Sequence, residues 1–314
     1  MEWIPLGYRS QADYGSVEFH HPLKGQIDLK KTHKENTVGP WAKQKLDGLE
    51  SYLHHYLQVL EKFGFKVVYI DAFAGAGKSE VRNSWKGADD DDLLLFDDDF
   101  VQSEAEFIEG SPRRALGLKY SFHGHYFFDQ DPVRAKLLED LQSEFPEKNI
   151  YVRVGDANPL IQKLAKKLRG RDTRGFAFLD PYGPHLHWDT IKSLVETKNV
   201  EVMINFPLGM AVNRMIKRNG DIPENCRHDL NLCFGTNEWE PLVYNEQRTL
   251  FGTTDRQKVD NTAARLLGLY VDRLKNYSTL LRRRAWLEIR LERRFTTCCG
   301  RGRTTLASRL PTIS

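Results

Sequence analysis

The stretch FKVVYIDAFAGAG, residues 65–77, decides the fold of this 314-residue chain. It begins with β-branched and aromatic residues, which predict a buried strand that ends at Asp71. The small residues that follow, through Gly75 and Gly77, predict a tight turn whose backbone can approach a ligand closely. Because ligands of open α/β sheets bind at the carboxyl ends of the strands, this turn is the first candidate for a binding loop.

Four further apolar runs resemble this strand, and helical patterns separate them. The runs are HYFFD (125–129), IYVRVGD (150–156), GFAFLD (175–180) and VEVMINF (200–206). Helix starts are indicated at Asp131-Pro132, Asn158-Pro159 and Trp188-Asp189, and an apolar stripe over residues 41–63 predicts a helix before the first strand. Strands that alternate with helices predict a Rossmann-like α/β fold, with a mostly parallel sheet and helices on both faces.

Composition divides the chain into an N-terminal arm (1–36), an α/β domain (37–272) and a basic C-terminal segment (273–314). The last segment has eleven Lys or Arg and two acidic residues, a net charge of +9, which leaves −6 for residues 1–272 because the whole chain carries +3. Residues 82–107 contain the stretch GADDDDLLLFDDDF and are interpreted as an acidic surface insertion in the α/β domain. Its aspartates stand in unbroken runs, so a solvated loop is favoured over a calcium site.

The sequence also bears on compartment. It has no run of roughly 18 apolar residues that could span a membrane, and its N-terminus lacks the pattern of a signal peptide. The four cysteines have no zinc-binding spacing and are interpreted as free thiols in a reducing compartment. We therefore expect a cytoplasmic protein with no metal site and no membrane attachment.

Acidic residues stand at the ends of the next three strands. Asp129 can accept hydrogen bonds from both ribose hydroxyls of an adenosine, and Asp156 can meet the adenine amino group. Asp180 ends the following strand. Each acid alone would be interpreted as a loop or cap residue. Three acids in register at successive strand ends instead predict a single adenosine-binding cleft.

These residues resemble the motifs of S-adenosylmethionine-dependent methyltransferases. Asp180-Pro181-Tyr182 is similar to the Asp/Asn-Pro-Pro-aromatic motif of amino-group methyltransferases, in which the acid or amide oxygen and the first proline carbonyl accept hydrogen bonds from the target NH2. Tyr182 replaces the second proline, and its ring could still stack on a base. Asn205, at the end of the fifth strand, could line the same cleft.

The resemblance implies S-adenosyl-L-methionine as the cofactor. The implied catalytic residues are Asp180, Pro181, Tyr182 and Asn205. The implied cofactor-binding residues are Asp71, Phe73, Gly75, Gly77, Asp129, Asp156 and Ala157.

A closer resemblance, over roughly residues 37–270, is to the three-Cys-motif partner protein family (TcmP). It rests on short segments in a fixed order: Val38-Gly39-Pro40-Trp41, Lys45-Leu46, Tyr69 to Gly77, Gly110-Ser111-Pro112, Ala115-Leu116, Gly155-Asp156-Ala157-Asn158, Phe178 to Gly183 and Ile204-Asn205-Phe206-Pro207. The resemblance implies a methyltransferase-like fold and an encoded partner that resembles radical-SAM proteins.

The expected function is methyl transfer from S-adenosylmethionine to a nitrogen on a nucleic acid. One alternative is a cofactor-binding module without catalytic activity that acts with the radical-SAM-like partner. Another is a P-loop nucleotidase, because Gly77-Lys78-Ser79 ends like a Walker A loop. Against it, the first glycine of that motif would fall at Ala72, and no helical pattern begins at Ser79.

Two further features have open interpretations. A basic cluster forms either a solvated helix face or a phosphate-binding surface: Lys163, Lys166, Lys167, Arg169, Arg171 and Arg174. Ser111 is expected to cap a helix that begins at Pro112, and this helix start could return beside the glycine turn if the insertion folds away.

Overall fold

The computed structural model describes residues 37, 38, 40–81, 106–170, 172–208, 212–248, 254–280 and 287–291. The N-terminal arm, most of the acidic insertion and the end of the basic segment lie outside the described residues. Their interpretation therefore stays a prediction from the sequence.

Strands and helices alternate along the described chain. The strands are β1 (Thr37–Val38), β2 (Lys66–Asp71), β3 (Lys78–Val81), β4 (Glu106–Glu109), β5 (Gly124–Asp129), β6 (Ile150–Val154), β7 (Thr173–Leu179), β8 (Val200–Phe206), β9 (Tyr244–Arg248), β10 (Thr254–Lys258) and β11 (Leu287–Leu291). The helices are α1 (Pro40–Glu61), α2 (Ser111–Leu116), α3 (Pro132–Glu144), α4 (Ala157–Lys167), α5 (Trp188–Glu196), α6 (Asn213–Met215), α7 (Glu224–Phe234), α8 (Trp239–Val243) and α9 (Thr262–Leu280).

The central sheet has six strands in the order β11-β8-β7-β2-β5-β6, and each neighbouring pair is parallel. Its faces bury two apolar clusters. Side chains of α1, α2 and α3 pack on one face, and those of α4, α5, α7, α8 and α9 pack on the other. The prediction of a Rossmann-like α/β fold with helices on both faces is confirmed.

Local sequence explains how α1 packs on the sheet and where α3 begins. In α1, Leu46, Leu49, Leu53 and Leu57 recur at steps of three or four, and all four are buried against the sheet. Asp131 caps α3, because its carboxylate accepts a hydrogen bond of 2.8 Å from the backbone of Val133. The first residue of α3 is Pro132, whose fixed φ suits that position.

The acidic insertion is flanked by an antiparallel hairpin. β3 pairs with β4, and β1 pairs with the other edge of β3. Residues 82–105 of the insertion lie outside the described residues, and its last two residues, 106 and 107, belong to β4. In the described residues, β3 and β4 thus form a two-stranded ribbon that leaves the glycine turn and returns to α2.

The C-terminal boundary drawn from charge falls inside a helix. α9 continues without a break past residue 272, and Leu274 is buried in the core. The Arg273 guanidinium lies 4.8 Å from the ring centroid of Trp188, a cation–π contact with the start of α5. β11 then joins the sheet beside β8. The folded α/β unit therefore extends through residues 273–280 and 287–291.

Among the described helices, none is both long enough and apolar enough to cross a bilayer.

His125 on β5 is a buried titratable group in the core. It lies among the rings of Tyr69, Phe122 and Phe127, and its Nε2 has no hydrogen-bond partner among the described residues. Burial lowers the pKa of His125 to about 4. In the unfolded chain an imidazole takes up a proton near pH 6.5, so the unfolded state binds more protons between these two values.

Replacing His125 by Phe should make the fold less sensitive to acid. As the pH falls from 7.5 to 5, we expect wild type to lose about 2 kcal/mol more unfolding free energy than His125→Phe, because only wild type must keep a neutral imidazole folded. Urea denaturation at each pH measures the difference. His55→Gln, on the exposed side of α1, is the matched control and should follow wild type. Parallel losses in wild type and His125→Phe would contradict the prediction.

Candidate functional site

The loops that leave the parallel strands meet along one edge of the sheet. Three backbone hydrogen bonds join neighbouring exits: Ala72 N–H to the Phe178 carbonyl (3.2 Å), Ala74 N–H to the Phe128 carbonyl (3.1 Å) and Gly155 N–H to the Asp129 carbonyl (3.0 Å). The strand order reverses between β2 and β7, which opens a crevice above their carboxyl ends. The strand-end residues selected from the sequence therefore lie around one crevice and its rim.

The glycine turn after β2 has the backbone that its sequence predicts. Gly75 and Gly77 have φ angles of +64° and +77°, in the left-handed region that favours glycine. The Gly110 N–H donates to the Gly77 carbonyl at 2.8 Å. A Cβ atom added to Gly110 would lie 3.1 Å from the Gly77 backbone, so these two chains approach closely.

The start of α2 therefore does return beside the glycine turn, as the sequence allowed. The expected cap was wrong, because Gly110 holds the N-cap position and Ser111 is already helical. The Ser111 side chain instead faces Asp71. An N-cap must have an extended backbone, and Gly110 has it, with φ −72° and ψ 172°.

Asp71 is the most unusual group of the crevice. Its side chain is fully buried, its Oδ2 accepts a hydrogen bond of 3.3 Å from the Tyr69 hydroxyl, and its Oδ1 has no partner among the described residues. Burial raises the pKa of Asp71 to about 7, the nearby Ser111 hydroxyl and Phe73 backbone N–H lower it, and the charge of Asp180 raises it. Neither Ser111 nor Phe73 has the geometry of a hydrogen bond to Oδ1. A buried acceptor without a donor is costly unless a ligand completes it.

Asp180 and Asn205 are brought together, as the sequence predicted. The Asn205 amide donates to Oδ1 of Asp180 at 2.6 Å, and the Lys45 ammonium donates to Oδ2 at 2.5 Å. Lys45 comes from α1, which was not assigned to the site. In the sequence, Lys45 appears only as part of the Lys45-Leu46 segment of the family resemblance and as the charged residue before Leu46 of the buried stripe.

The two residues after Asp180 have opposite environments. Pro181 is buried, whereas the Tyr182 side chain is 70% exposed. Phe73, from the glycine turn, is partly buried and packs against the apolar cluster. Tyr182 therefore presents a free aromatic face at the mouth of the crevice, where a planar group can stack on it.

Asp129, the expected ribose acid, is already engaged. Arg134 on α3 donates to both of its oxygens, at 2.9–3.1 Å, and the Asp131 backbone N–H donates to Oδ1 at 2.8 Å. The Asp129 side chain is only 5% exposed. The acid thus lies where the sequence predicted, but a guanidinium occupies its oxygens.

Asp156 is the N-cap of α4, so this helix begins before Asn158-Pro159. Its carboxylate accepts hydrogen bonds of 2.9 Å from the backbone and from the side-chain amide of Asn158, and the next residue, Ala157, is buried. The cap explains Asp156 without a ligand. Its carboxylate is nevertheless exposed at the rim, where the adenine contact was predicted.

Asn158 has a positioning role that the sequence did not reveal. This buried side chain donates to the His185 carbonyl at 2.8 Å and accepts from the His187 N–H at 2.9 Å and from the Thr190 hydroxyl at 2.8 Å. It therefore fixes the loop between Asp180 and α5. The sequence pattern Asn158-Pro159 indicates a helix start, but it gives no sign of these contacts with the distant loop.

The structure bears on two other interpretations of the sequence. Lys78 begins a strand, so the Gly-Lys-Ser sequence does not lead into the helix that a P-loop requires. The P-loop nucleotidase is therefore not supported. Among the described residues, no group of three His, Cys, Asp or Glu side chains is arranged to hold a metal ion.

Replacing Asp71 by Asn should stabilise the fold at high pH. Because the pKa of Asp71 is raised in the folded state, its contribution to the free energy of unfolding is lost as the pH rises from about 4 to about 7. Asn cannot ionise, so the variant does not lose this stability. We expect the stability gain of Asp71→Asn to be roughly 2–3 kcal/mol larger at pH 8 than at pH 5, measured by urea denaturation. Asp140→Asn, an exposed change on α3 that removes an ion pair with Lys136, is the matched control and should change the free energy of unfolding by the same small amount at pH 5 and pH 8. A gain for Asp71→Asn that is equal at both pH values would show that the carboxylate is not strained by burial.

No family model and no curated protein matches the chain. Among solved structures it is similar to the crystal structure of protein LPL1258 from Legionella pneumophila str. Philadelphia 1, a DUF519 protein, with 20% identity and a TM-score of 0.30. The match covers 46% of this chain and 58% of that one, so the chain spans less than two thirds of the length of its neighbour. A likeness at this level does not bear on function.

Proposed function

We propose that the protein is an S-adenosylmethionine-dependent methyltransferase that acts on a nitrogen of a nucleic acid. One observation carries the proposal: the glycine turn with the unsatisfied Asp71 and the loop of Asp180, Pro181 and Tyr182 leave adjacent strands at the point where the strand order reverses. In sheets of this kind, that point is where ligands bind.

The residues around the glycine turn fit the proposed cofactor. Asp71 Oδ1 lacks the donor that an amino-acid ammonium would supply, and Gly110 packs closely against the Gly77 backbone at the turn. Asp129 fits the ribose only if Arg134 moves away from it. When bound, S-adenosylmethionine supplies an electrophilic methyl group on a sulfonium.

The chain's own residues would orient the target nitrogen. A carboxylate has about four lone-pair sites, so Asp180 can still accept from a target NH2 while Lys45 and Asn205 each donate once. The Pro181 carbonyl would accept the second N–H, and Tyr182 would stack on the base. These contacts point the nitrogen lone pair out of the hydrogen-bonded plane, and such positioning supplies much of the rate of a displacement.

The nucleic-acid substrate is supported by exposed cations at the same edge of the sheet. Arg214, Lys217 and Arg218 follow β8 and are exposed, and Val212 N–H, at the start of their segment, donates to the carbonyl of Pro207, directly after β8, at 3.2 Å. The Tyr244 hydroxyl fixes this segment by donating to the Lys217 carbonyl at 2.7 Å.

The described members of the other basic cluster lie at the opposite edge of the sheet from the crevice, and Arg171 lies outside the described residues. α4 begins at the carboxyl end of β6 and runs back along the sheet, so Lys166 and Lys167, in its last turn, lie near the amino end of β7. Asn199, directly before β8, accordingly donates to the Leu168 carbonyl at 3.1 Å. This placement favours the interpretation as a solvated face.

A cofactor-binding module that acts with a radical-SAM-like partner is the second candidate. It is favoured by the engagement of both Asp180 oxygens and both Asp129 oxygens within the chain itself. Such pairing satisfies the acids without a substrate. In this case the protein would bind cofactor and partner but transfer no methyl group.

Calorimetry and methyl transfer together test the proposal. We expect wild type to bind S-adenosylhomocysteine, and Asp129→Ala to bind it at least roughly tenfold more weakly because two hydrogen bonds to the ribose are lost. Asp140→Ala, on the exposed side of α3, should bind like wild type. Transfer of labelled methyl groups is then assayed with mixed RNA, DNA and protein.

Each outcome of this experiment has a distinct meaning. Methyl transfer to RNA or DNA supports the proposed function. Cofactor binding without transfer to any of the three acceptors supports the module instead. If wild type binds neither S-adenosylmethionine nor S-adenosylhomocysteine, both proposals fail.

The exposed cations after β8 should contribute to nucleic-acid affinity. We expect the triple change of Arg214, Lys217 and Arg218 to Gln to weaken oligonucleotide binding and to reduce the slope of log affinity against log salt by about two to three, because each lost phosphate contact removes a released counterion. Fluorescence anisotropy over a salt series measures both. The matched control replaces Lys163, Lys166 and Lys167 by Gln, the same loss of charge on α4. A larger effect of the control would overturn this assignment.

A further inference from the structure

Arg134 and Asp129 form a fork at the rim of the crevice. Arg134 Nε lies 3.1 Å from Oδ1 and 3.0 Å from Oδ2 of Asp129, and Nη2 lies 2.9 Å from Oδ1. Such multidentate contacts between a guanidinium and a carboxylate are among the stronger hydrogen-bonded ion pairs. Arg134 lies in the first turn of α3, only a few residues after Asp129, so the pair is local and forms without any other element.

The fork uses the lone pairs that a ribose would need. Oδ1 of Asp129 accepts from Nε, from Nη2 and from the Asp131 backbone N–H, and Oδ2 accepts from Nε. A 2′,3′-diol bound to a carboxylate adds two further O–H donors. Since a carboxylate has about four lone-pair sites, the diol and the fork cannot both be accommodated in full.

Arg134 is able to leave. Its side chain is 33% exposed, whereas that of Asp129 is 5% exposed, so the guanidinium lies on the solvent side of the pair. Asp131 Oδ2 already lies 3.8 Å from Nη1 and offers a second acidic partner farther out. Arg134 also lies near Tyr182, because its positive charge partly opposes the rise that burial causes in the pKa of the Tyr182 hydroxyl.

We propose that Arg134 occupies the ribose subsite of the free protein, leaves Asp129 when a nucleoside 2′,3′-diol binds, and then offers its guanidinium to a substrate phosphate beside Tyr182. This inference rests on the proposed function, in which Asp129 is the ribose acid and Tyr182 faces the target base. One cation would then serve two ligands in turn. Cofactor and nucleic acid would bind with positive coupling, which is reciprocal by thermodynamic necessity.

Calorimetry with S-adenosylhomocysteine tests the first half of the inference. Arg134→Ala should bind S-adenosylhomocysteine several-fold more tightly than wild type, because no fork must be broken. Arg134→Lys, which keeps the charge but has a single donor group, should lie between them. Arg114→Ala removes a guanidinium that is paired with Asp47 and Glu50 between α1 and α2, and it should bind like wild type.

Fluorescence anisotropy with a labelled single-stranded oligonucleotide tests the second half. Saturating S-adenosylhomocysteine should strengthen oligonucleotide binding several-fold in wild type and in Arg114→Ala, but not in Arg134→Ala. The Arg134→Lys variant should keep part of the enhancement, since an ammonium also binds phosphate.

The outcomes separate this inference from the proposed function. Weaker or unchanged S-adenosylhomocysteine binding by Arg134→Ala overturns the inference while leaving the function intact, because Arg134 would then orient Asp129 or play no part. Equal enhancement in wild type and Arg134→Ala overturns the phosphate role. Absence of S-adenosylhomocysteine binding in wild type and in all variants overturns the proposed function itself.

Discussion

The reversal of strand order between β2 and β7 is the constraint on which the site depends. From β2 the sheet grows through β5 to β6, and from β7 it grows through β8 to β11, so the connecting helices diverge from the gap between the two central strands. The loops after Asp71 and Asp180 leave into that gap. Lys45 can reach Asp180 because α1 packs on one face beside the gap, and Asn205 can because β8 is the next strand.

Charge within the crevice is balanced unequally. Three carboxylates leave adjacent strands, and two of them, Asp129 and Asp180, are paired with Arg134 and Lys45. No cation among the described residues pairs with Asp71, and its pKa is raised mainly by burial. Asp71 and His125 change the free energy of unfolding with pH in opposite directions. Asp71 favours the folded state at low pH, whereas His125 disfavours it there. The two contributions offset each other in wild type, so a flat pH profile would hide a strained acid. A buried acid without a cation lowers the stability of the fold, so stability alone would not select it. Natural proteins tolerate such a loss of stability at functional sites.

Much of this arrangement could be predicted from the sequence, because strands and helices follow from local patterns and parallel strands must end at one edge. The proximity of Asp180 and Asn205 follows from that rule. Lys45, Arg134 and Asn158 could not be assigned, since their partners are distant or depend on which side chain turns inward. The boundary at residue 272 rested on charge, and charge does not report that α9 continues or that β11 pairs with β8. Composition likewise found the cations of α4 but not the edge at which they lie.

The exposed groups of the crevice support the proposed methyltransferase over the proposed cofactor-binding module. A module needs the acids only for cofactor or for stability, and the internal pairs of Asp129 and Asp180 would suffice for that. Cofactor binding alone does not use the ring of Tyr182, which is 70% exposed next to Asp180. A base that stacks on the ring removes that surface from water and brings its amino group to the remaining lone pairs of Asp180. A single planar substrate would use both features, the exposed ring of Tyr182 and the remaining lone pairs of Asp180.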